Sequence, residues 1–169
     1  RMANKASFTP EEWTKVLESV AVTGMAVTAA EPSGLWGMLM EAFAGGAALA
    51  AAKADANANE LVKAAIADFE TPEGRAAVQE ALKQRFKGAE ATDVVPRALE
   101  TLRQASAILD AKAPADAPAF KAWLNSIAAK VAEASKEGGF LGFGGVQVSE
   151  AEKATLAEIA AALGTSAQA

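Results

Sequence analysis

The sequence contains no cysteine, no histidine and no tyrosine. Without cysteine and histidine the chain forms no disulfide, no thiolate nucleophile, no Cys/His zinc site and no imidazole general base. The lack of tyrosine removes the phenol as a further acid–base group. Aromatic residues make up only 6% of the chain. A functional site therefore has to use carboxylates, lysine, arginine, hydroxyls, backbone groups and a few aromatic rings.

Clusters of basic residues are lacking as well. The 16 lysines and arginines are outnumbered by 21 acidic residues, which gives a net charge of −5. They are dispersed between acids, whereas a nucleic-acid-binding protein gathers its cations against the phosphates. We therefore expect no nucleic-acid partner. Residues 1–10 are polar and contain no signal peptide, so the expected location is cytoplasmic.

Alanine is abundant, and hydrophobic residues make up 51% of the chain. Alanine favours helices because it loses no side-chain entropy in them, and its small size lets helices pack closely. No segment alternates with period two for long enough to predict a strand. The sequence therefore predicts a single all-α domain over residues 9–164, built as a compact bundle of about seven helices. Residues 1–8 and 165–169 are expected to be disordered.

Two threonine–proline pairs mark predicted helix starts. Thr9 precedes Pro10 and forms a predicted capping box with Glu12, and Thr71 precedes Pro72 in the same way. Helix ends are expected at two glycines, Gly88 and Gly164.

The segment 35–52 has only one charged residue, Glu41. Its length would allow it to cross a bilayer. However, alanine and glycine contribute little transfer energy, and Glu41 near its centre would cost about 3 kcal/mol on insertion scales. The segment is therefore predicted to be a buried central helix, with a membrane role as the alternative.

Two parts of the chain share a pattern that indicates an internal duplication. Residues 17–21 and 124–128 both read Leu-x-Ser-(Val/Ile)-Ala, and Trp13 and Phe120 precede them by the same four residues. Each predicted helix ends near an acid and continues into a glycine-rich loop that carries bulky apolar residues. We therefore predict pseudo-two-fold related halves with both loops on one side of the bundle.

The two loops, residues 31–37 and 137–145, are the candidate functional surface. The candidate ligand- or partner-binding residues are Glu31, Ser33, Trp36, Glu137, Phe140 and Phe143. Glycine lets a backbone bring an aromatic ring against a small ligand, a protein partner, a lipid surface or the protein's own core. Of the functional interpretations, a ligand or partner is favoured over peripheral membrane contact. The sequence indicates no oligomeric state.

The C-terminal part, clearest over residues 120–164, resembles a known family. Segments 128–138 (AAKVAEASKEG), 148–153 (VSEAEK) and 157–164 (AEIAAALG) are similar to the second repeat of tellurite-resistance TerB-like proteins. That repeat has a helix ending in Ala-x-x-Asp-Gly, an acidic capping run, and a helix ending in Ile-Ala-x-x-Leu-Gly. Residues 20–34 resemble the first repeat. The resemblance implies a non-enzymatic helical domain of bacterial stress responses.

The resemblance also implies a divalent cation, because such domains are proposed to bind one through acids near the two loops. The positions that match the family's acids are Glu31, Glu137, Glu150 and Glu152. Carboxylate oxygens suit Ca²⁺ or Mg²⁺. The alternative is that Glu150 and Glu152 only cap a helix start, where carboxylates oppose the helix dipole.

Enzymatic signatures are not evident. Gly142-Phe143-Gly144-Gly145 lacks the Gly-Lys-(Ser/Thr) ending and the preceding strand of a phosphate loop. No pair of acids has a spacing that marks it as catalytic. The sequence therefore predicts a non-catalytic binding or accessory domain, and a carboxylate-dependent hydrolase is the least favoured alternative.

Overall fold

The computed structural model describes residues 4–29, 59–137 and 150–165. Within these ranges the protein has six α-helices and no strand, which confirms the all-α prediction. The helices are α1 (Pro10–Ala29), α2 (Glu60–Phe69), α3 (Pro72–Arg85), α4 (Ala91–Lys112), α5 (Ala117–Glu137) and α6 (Glu150–Leu163), and a 3₁₀ turn (Lys5–Ser7) precedes them. The helix predicted over residues 35–52 lies outside the described residues. No helix of the described ranges has the length and apolar character needed to span a bilayer.

The predicted helix starts are confirmed. At α1 the Glu12 N–H donates to Thr9 Oγ1 at 3.1 Å, and the Thr9 N–H donates to Glu12 Oε1 at 2.8 Å. At α3 the Gly74 N–H donates to Thr71 Oγ1 at 2.9 Å. These bonds satisfy backbone donors that have no partner inside the helix.

The end of α6 is also confirmed and is held by several bonds. Gly164 has a φ of +73°, a left-handed conformation that glycine adopts without strain. The Thr165 N–H then donates to Ala160 O at 2.9 Å, and Asn125 Nδ2 of α5 donates to Thr165 Oγ1 at 2.9 Å. Ser106 Oγ of α4 donates to Leu163 O at 3.1 Å. Bonds from α4 and α5 thus hold the end of α6.

Helix α1 is the centre of the bundle. Every residue over the range 16–28 is buried, and α1 contacts each of the other five helices of the described ranges. The helix is therefore enclosed over this range. Its hydroxyl groups tolerate burial because they bond to the helix itself: Ser19 Oγ donates to Val16 O, and Thr23 Oγ1 donates to Ser19 O at 2.7 Å.

Helices α1 and α5 match each other in one register, as the predicted duplication requires. Three pairs of positions correspond: Pro10 with Ala117, Trp13 with Phe120, and Ser19 with Ser126. The first pair begins the two helices, and the aromatic pair is buried. Ser126 Oγ donates to the carbonyl three residues earlier at 2.7 Å, and Ser19 makes the same type of bond. The likeness of the two helices thus extends from sequence pattern to side-chain bonding.

The N-terminal segment belongs to the packed structure, although the predicted domain begins at Thr9. Asn4 Oδ1 accepts the Ala6 N–H at 2.8 Å, which starts the 3₁₀ turn. Phe8 is only 8% exposed, and its ring centroid lies 5.4 Å from that of Trp13. Phe8 directly precedes the capping threonine and packs against the fourth helical residue, the arrangement of a hydrophobic staple. Phe8 therefore packs against the core one position before the capping threonine.

Candidate functional site

The loop residues predicted as a binding surface lie mostly beyond what the structure describes. Five of them are outside the described residues: Glu31, Ser33, Trp36, Phe140 and Phe143. Glu137 is the last residue of α5. The arrangement of the two loops therefore stays a prediction.

The other two acids of the predicted metal site, Glu150 and Glu152, are described, and their side chains lie in different environments. Glu150 is exposed and pairs with Lys153 at 3.5 Å, whereas Glu152 is only 2% exposed. Residues two positions apart on a helix do not face each other, which accounts for the difference in exposure. Among the described residues no group of three or more acids is placed to hold a metal. The predicted metal site also includes Glu31, which lies outside the described residues, so it stays a prediction.

An open pocket of about 730 Å³ lies between the N-terminal segment, the start of α1, α2 and the start of α3. Its apolar lining includes Phe8, Trp13, Leu17, Ala64 and Ala77. Its polar lining includes Asn4, Lys5, Thr14, Asp68, Thr71 and Glu73. Small-molecule sites span about 300–1,000 Å³ and combine apolar walls with a few convergent polar groups. By size and lining, this pocket is the candidate functional site.

One carboxylate joins three elements around the pocket. The Trp13 Nε1–H donates to Asp68 Oδ2 at 2.7 Å, and Lys5 Nζ lies 2.9 Å from the same oxygen. The Asp68 side chain is 20% exposed, whereas that of Lys5 is 62% exposed. The indole bond therefore holds the carboxylate from the protein side, and the ammonium group approaches it from the solvent side.

The corner between α2 and α3 positions Asp68. Thr71 Oγ1 donates to Asp68 O at 2.8 Å and accepts the Gly74 N–H at 2.9 Å. A Cβ atom at Gly74 would lie only 1.9 Å from Asp68 O, so the close approach of the two helices requires glycine. The position of Asp68 is therefore set by the Thr71 hydroxyl and by the close approach of Gly74 to the Asp68 carbonyl.

Sequence reasoning identified Trp13 and Thr71 as structural residues but did not assign Lys5 and Asp68 to a site. Neither Lys5 nor Asp68 belongs to a recognisable motif, and the two residues come together only in the tertiary fold. One signal was present, since Gly74 stands in the first turn of a predicted helix, where glycine costs about 1 kcal/mol relative to alanine. Such a glycine indicates a close backbone approach.

A second group of charged residues connects α1, α3 and α4. Glu18 is only 2% exposed, and its Oε2 lies 2.9 Å from Arg85 Nε. Lys15 Nζ donates to Gln104 Oε1 at 2.7 Å and lies 4.0 Å from Glu18 Oε1. Burial lowers the pKa of Lys15, and the Glu18 carboxylate opposes that shift. These groups face one another across helix interfaces, so we interpret them as structural.

The chemistry available in the pocket suits recognition. It offers an aromatic and aliphatic floor together with one anchored carboxylate at the rim. Comparison of the chain with family models, with curated proteins and with solved structures finds no match. The likeness to TerB-like proteins stays a prediction from the sequence motifs.

Proposed function

We propose that this chain is a non-catalytic helical binding module, an accessory domain of TerB-like type in a bacterial stress response, and that it binds a small organic ligand in the pocket beside Trp13. The observation that carries the proposal is the pocket of about 730 Å³ with an aromatic floor and a single anchored carboxylate. The sequence resemblance and the absence of cysteine, histidine and tyrosine support a role in binding.

The apolar floor supplies the affinity in this proposal. Removing apolar surface from water stabilises a complex by about 25 cal/mol per Å². Phe8, Trp13 and Leu17 are at most 8% exposed, so a phenyl-sized molecule in the pocket removes mainly its own apolar surface from water, and we expect a dissociation constant in the millimolar range, about −4 kcal/mol. Larger ligands of the same character would bind more tightly.

The pocket walls are ordered before a ligand arrives. The staple between Phe8 and Trp13 holds one wall, and the bonds of Thr71 hold another. A preformed site loses less conformational entropy on binding, so little affinity is lost to ordering the protein.

The experiment is a titration with 2-phenylethanol, an uncharged phenyl probe, followed by ¹H–¹⁵N NMR. The chain has three tryptophans. Their indole resonances are assigned with the Trp13→Phe and Trp123→Phe variants. We expect the Trp13 resonance to shift saturably, because its indole N–H bonds to Asp68 at the pocket rim. The resonance of Trp123, a core residue of α5, serves as the internal reference. A Trp13 shift that is no larger than that of Trp123, or that does not saturate, would refute the proposal.

A further inference from the structure

We propose that the pocket selects a small organic cation, a primary amine attached to an apolar body, and that Lys5 competes with this ligand for the Asp68 carboxylate. The inference rests on the proposed function, since it names the ligand class of the same pocket.

The contact between Lys5 and Asp68 shows that this carboxylate binds an ammonium group within the protein itself. The Lys5 ammonium group lies 2.9 Å from Asp68 Oδ2, which is the distance of a charge-assisted hydrogen bond. The Trp13 indole N–H donates to the same oxygen at 2.7 Å and holds it from the protein side. Loss of Lys5 from this position would leave the carboxylate oriented towards the pocket rim, ready to accept another ammonium group.

The Lys5 ammonium is poorly held. Its side chain is 62% exposed, and an exposed lysine–carboxylate pair contributes only about 0–1 kcal/mol. Lys5 also stands in a 3₁₀ turn of three residues, in which no residue is buried. Exchange of this ammonium for that of a ligand therefore requires no change in the helical core.

The charge of the lining favours a cation. Among the described residues that line the pocket, the charged ones are Lys5, Asp68 and Glu73. When Lys5 moves away, two carboxylates remain at the rim, and a ligand with one positive charge restores the balance. A ligand carboxylate would instead meet like charges. The apolar part of the ligand would cover Phe8 and Trp13, as in the proposed function.

The test compares three probes that share one phenyl ring: phenethylamine, 2-phenylethanol and phenylacetate, which are positive, neutral and negative at pH 7. The Trp13 indole resonance again reports binding. We expect phenethylamine to bind several-fold more tightly than 2-phenylethanol, and phenylacetate to bind most weakly. The ratio of the first two dissociation constants isolates the charge effect because the apolar contribution cancels.

Two variants test which residues produce the preference for the cationic probe. Asp68→Asn keeps an oxygen for the Trp13 indole but removes the charge, so the ratio should fall to about one. Lys5→Met keeps an apolar stem but removes the competitor, so phenethylamine should bind about two- to fivefold more tightly, the range set by an exposed ion pair. Binding of 2-phenylethanol should be unchanged in this variant.

The matched control is Lys63→Met, which removes one positive charge from an exposed residue of α2 that does not line the pocket. A gain in Lys63→Met as large as that in Lys5→Met would overturn the competition by Lys5. Equal binding of the cationic and neutral probes to the wild type would overturn the cation inference and leave the proposed function standing. Failure of all three probes would overturn both.

Discussion

Glu18 in α1 and Asn125 in α5 occupy equivalent positions but hold the ends of two different helices. Each follows a buried leucine and precedes the serine that bonds to its own helix. Glu18 pairs with Arg85, the last residue of α3, at 2.9 Å. Asn125 donates to Thr165 Oγ1, just beyond α6, at 2.9 Å. The same position in the two related helices thus fastens a neighbouring helix end, once by charge and once by a neutral hydrogen bond.

The first prediction concerns the buried ion pair. Glu18→Gln leaves Arg85 without its carboxylate and should lower the free energy of unfolding by about 2 kcal/mol. This loss is smaller than the ~3–5 kcal/mol typical of a fully buried pair, because the Arg85 side chain is 26% exposed. Urea unfolding followed by circular dichroism measures the change.

The control for this prediction is Glu100→Gln, which breaks the exposed pair of Glu100 and Arg103. It should change the free energy of unfolding by no more than about 0.5 kcal/mol. Equal effects of the two substitutions would show that the Glu18 pair contributes nothing beyond a surface contact.

The second prediction concerns the corner between α2 and α3. Gly74→Ala places a Cβ atom 1.9 Å from Asp68 O, so the helices must separate. We expect a loss of about 1–3 kcal/mol in the free energy of unfolding, although alanine is the better helix former. The Trp13 indole resonance should also shift, since its acceptor Asp68 is displaced.

Gly88→Ala is the contrasting variant. A Cβ atom at Gly88 meets nothing within 4 Å, so its cost comes only from the left-handed backbone at φ +71°. This variant should be destabilised by about 1 kcal/mol without moving the Trp13 resonance. A Trp13 shift of the same size in both variants would contradict the assigned role of Gly74.

The third prediction tests the pocket by filling it. Ala77 lies on α3 and lines the pocket, so a phenyl ring in Ala77→Phe should occupy the space and weaken 2-phenylethanol binding by about tenfold or more, at least 1.4 kcal/mol. Ala76→Phe adds the same ring at the neighbouring exposed position, which does not line the pocket, and should leave the dissociation constant unchanged. Retained affinity in Ala77→Phe would place the probe elsewhere.

The fourth prediction concerns acid stability. The Thr9 N–H bond, with a further contribution from Lys112, lowers the pKa of Glu12 below its usual value of 4.5. Between the folded-state pKa and pH 4.5 the unfolded chain therefore binds more protons at Glu12 than the folded chain does. The stabilisation that Glu12 contributes is complete above pH 4.5 and is lost as the pH falls through the lower folded-state pKa. Glu12→Gln should flatten the dependence of unfolding free energy on pH in this acidic range.

Glu11→Gln is the matched substitution, since it removes a carboxylate from the same first turn and leaves the Thr9 bond in place. The difference between the two variants isolates the contribution of the bond. Identical pH profiles for Glu11→Gln and Glu12→Gln would rule out the capping box as the cause.

Helix starts and ends were predictable because the interactions that define them are local. Thr9 and Glu12 are three residues apart, and Thr71 bonds to the backbone three residues on. Gly88 and Gly164 both adopt positive φ at the positions where helix ends were expected. The staple of Phe8 on Trp13 is equally local, and it was overlooked because the apolar residue stands before the capping threonine.

The sequence by itself determined the all-helical class, two helix starts, two helix ends and the exclusion of cysteine, histidine and tyrosine chemistry, since these depend on composition and on residues within about four positions of one another. Only the tertiary structure decided that α1 is enclosed over residues 16–28, and that Lys5, Trp13 and Asp68 meet at one pocket. Hydrophobic burial is non-directional, so an apolar pattern shows that a helix packs but not which helices surround it. For that reason the candidate site became visible only when three separate parts of the chain were brought together.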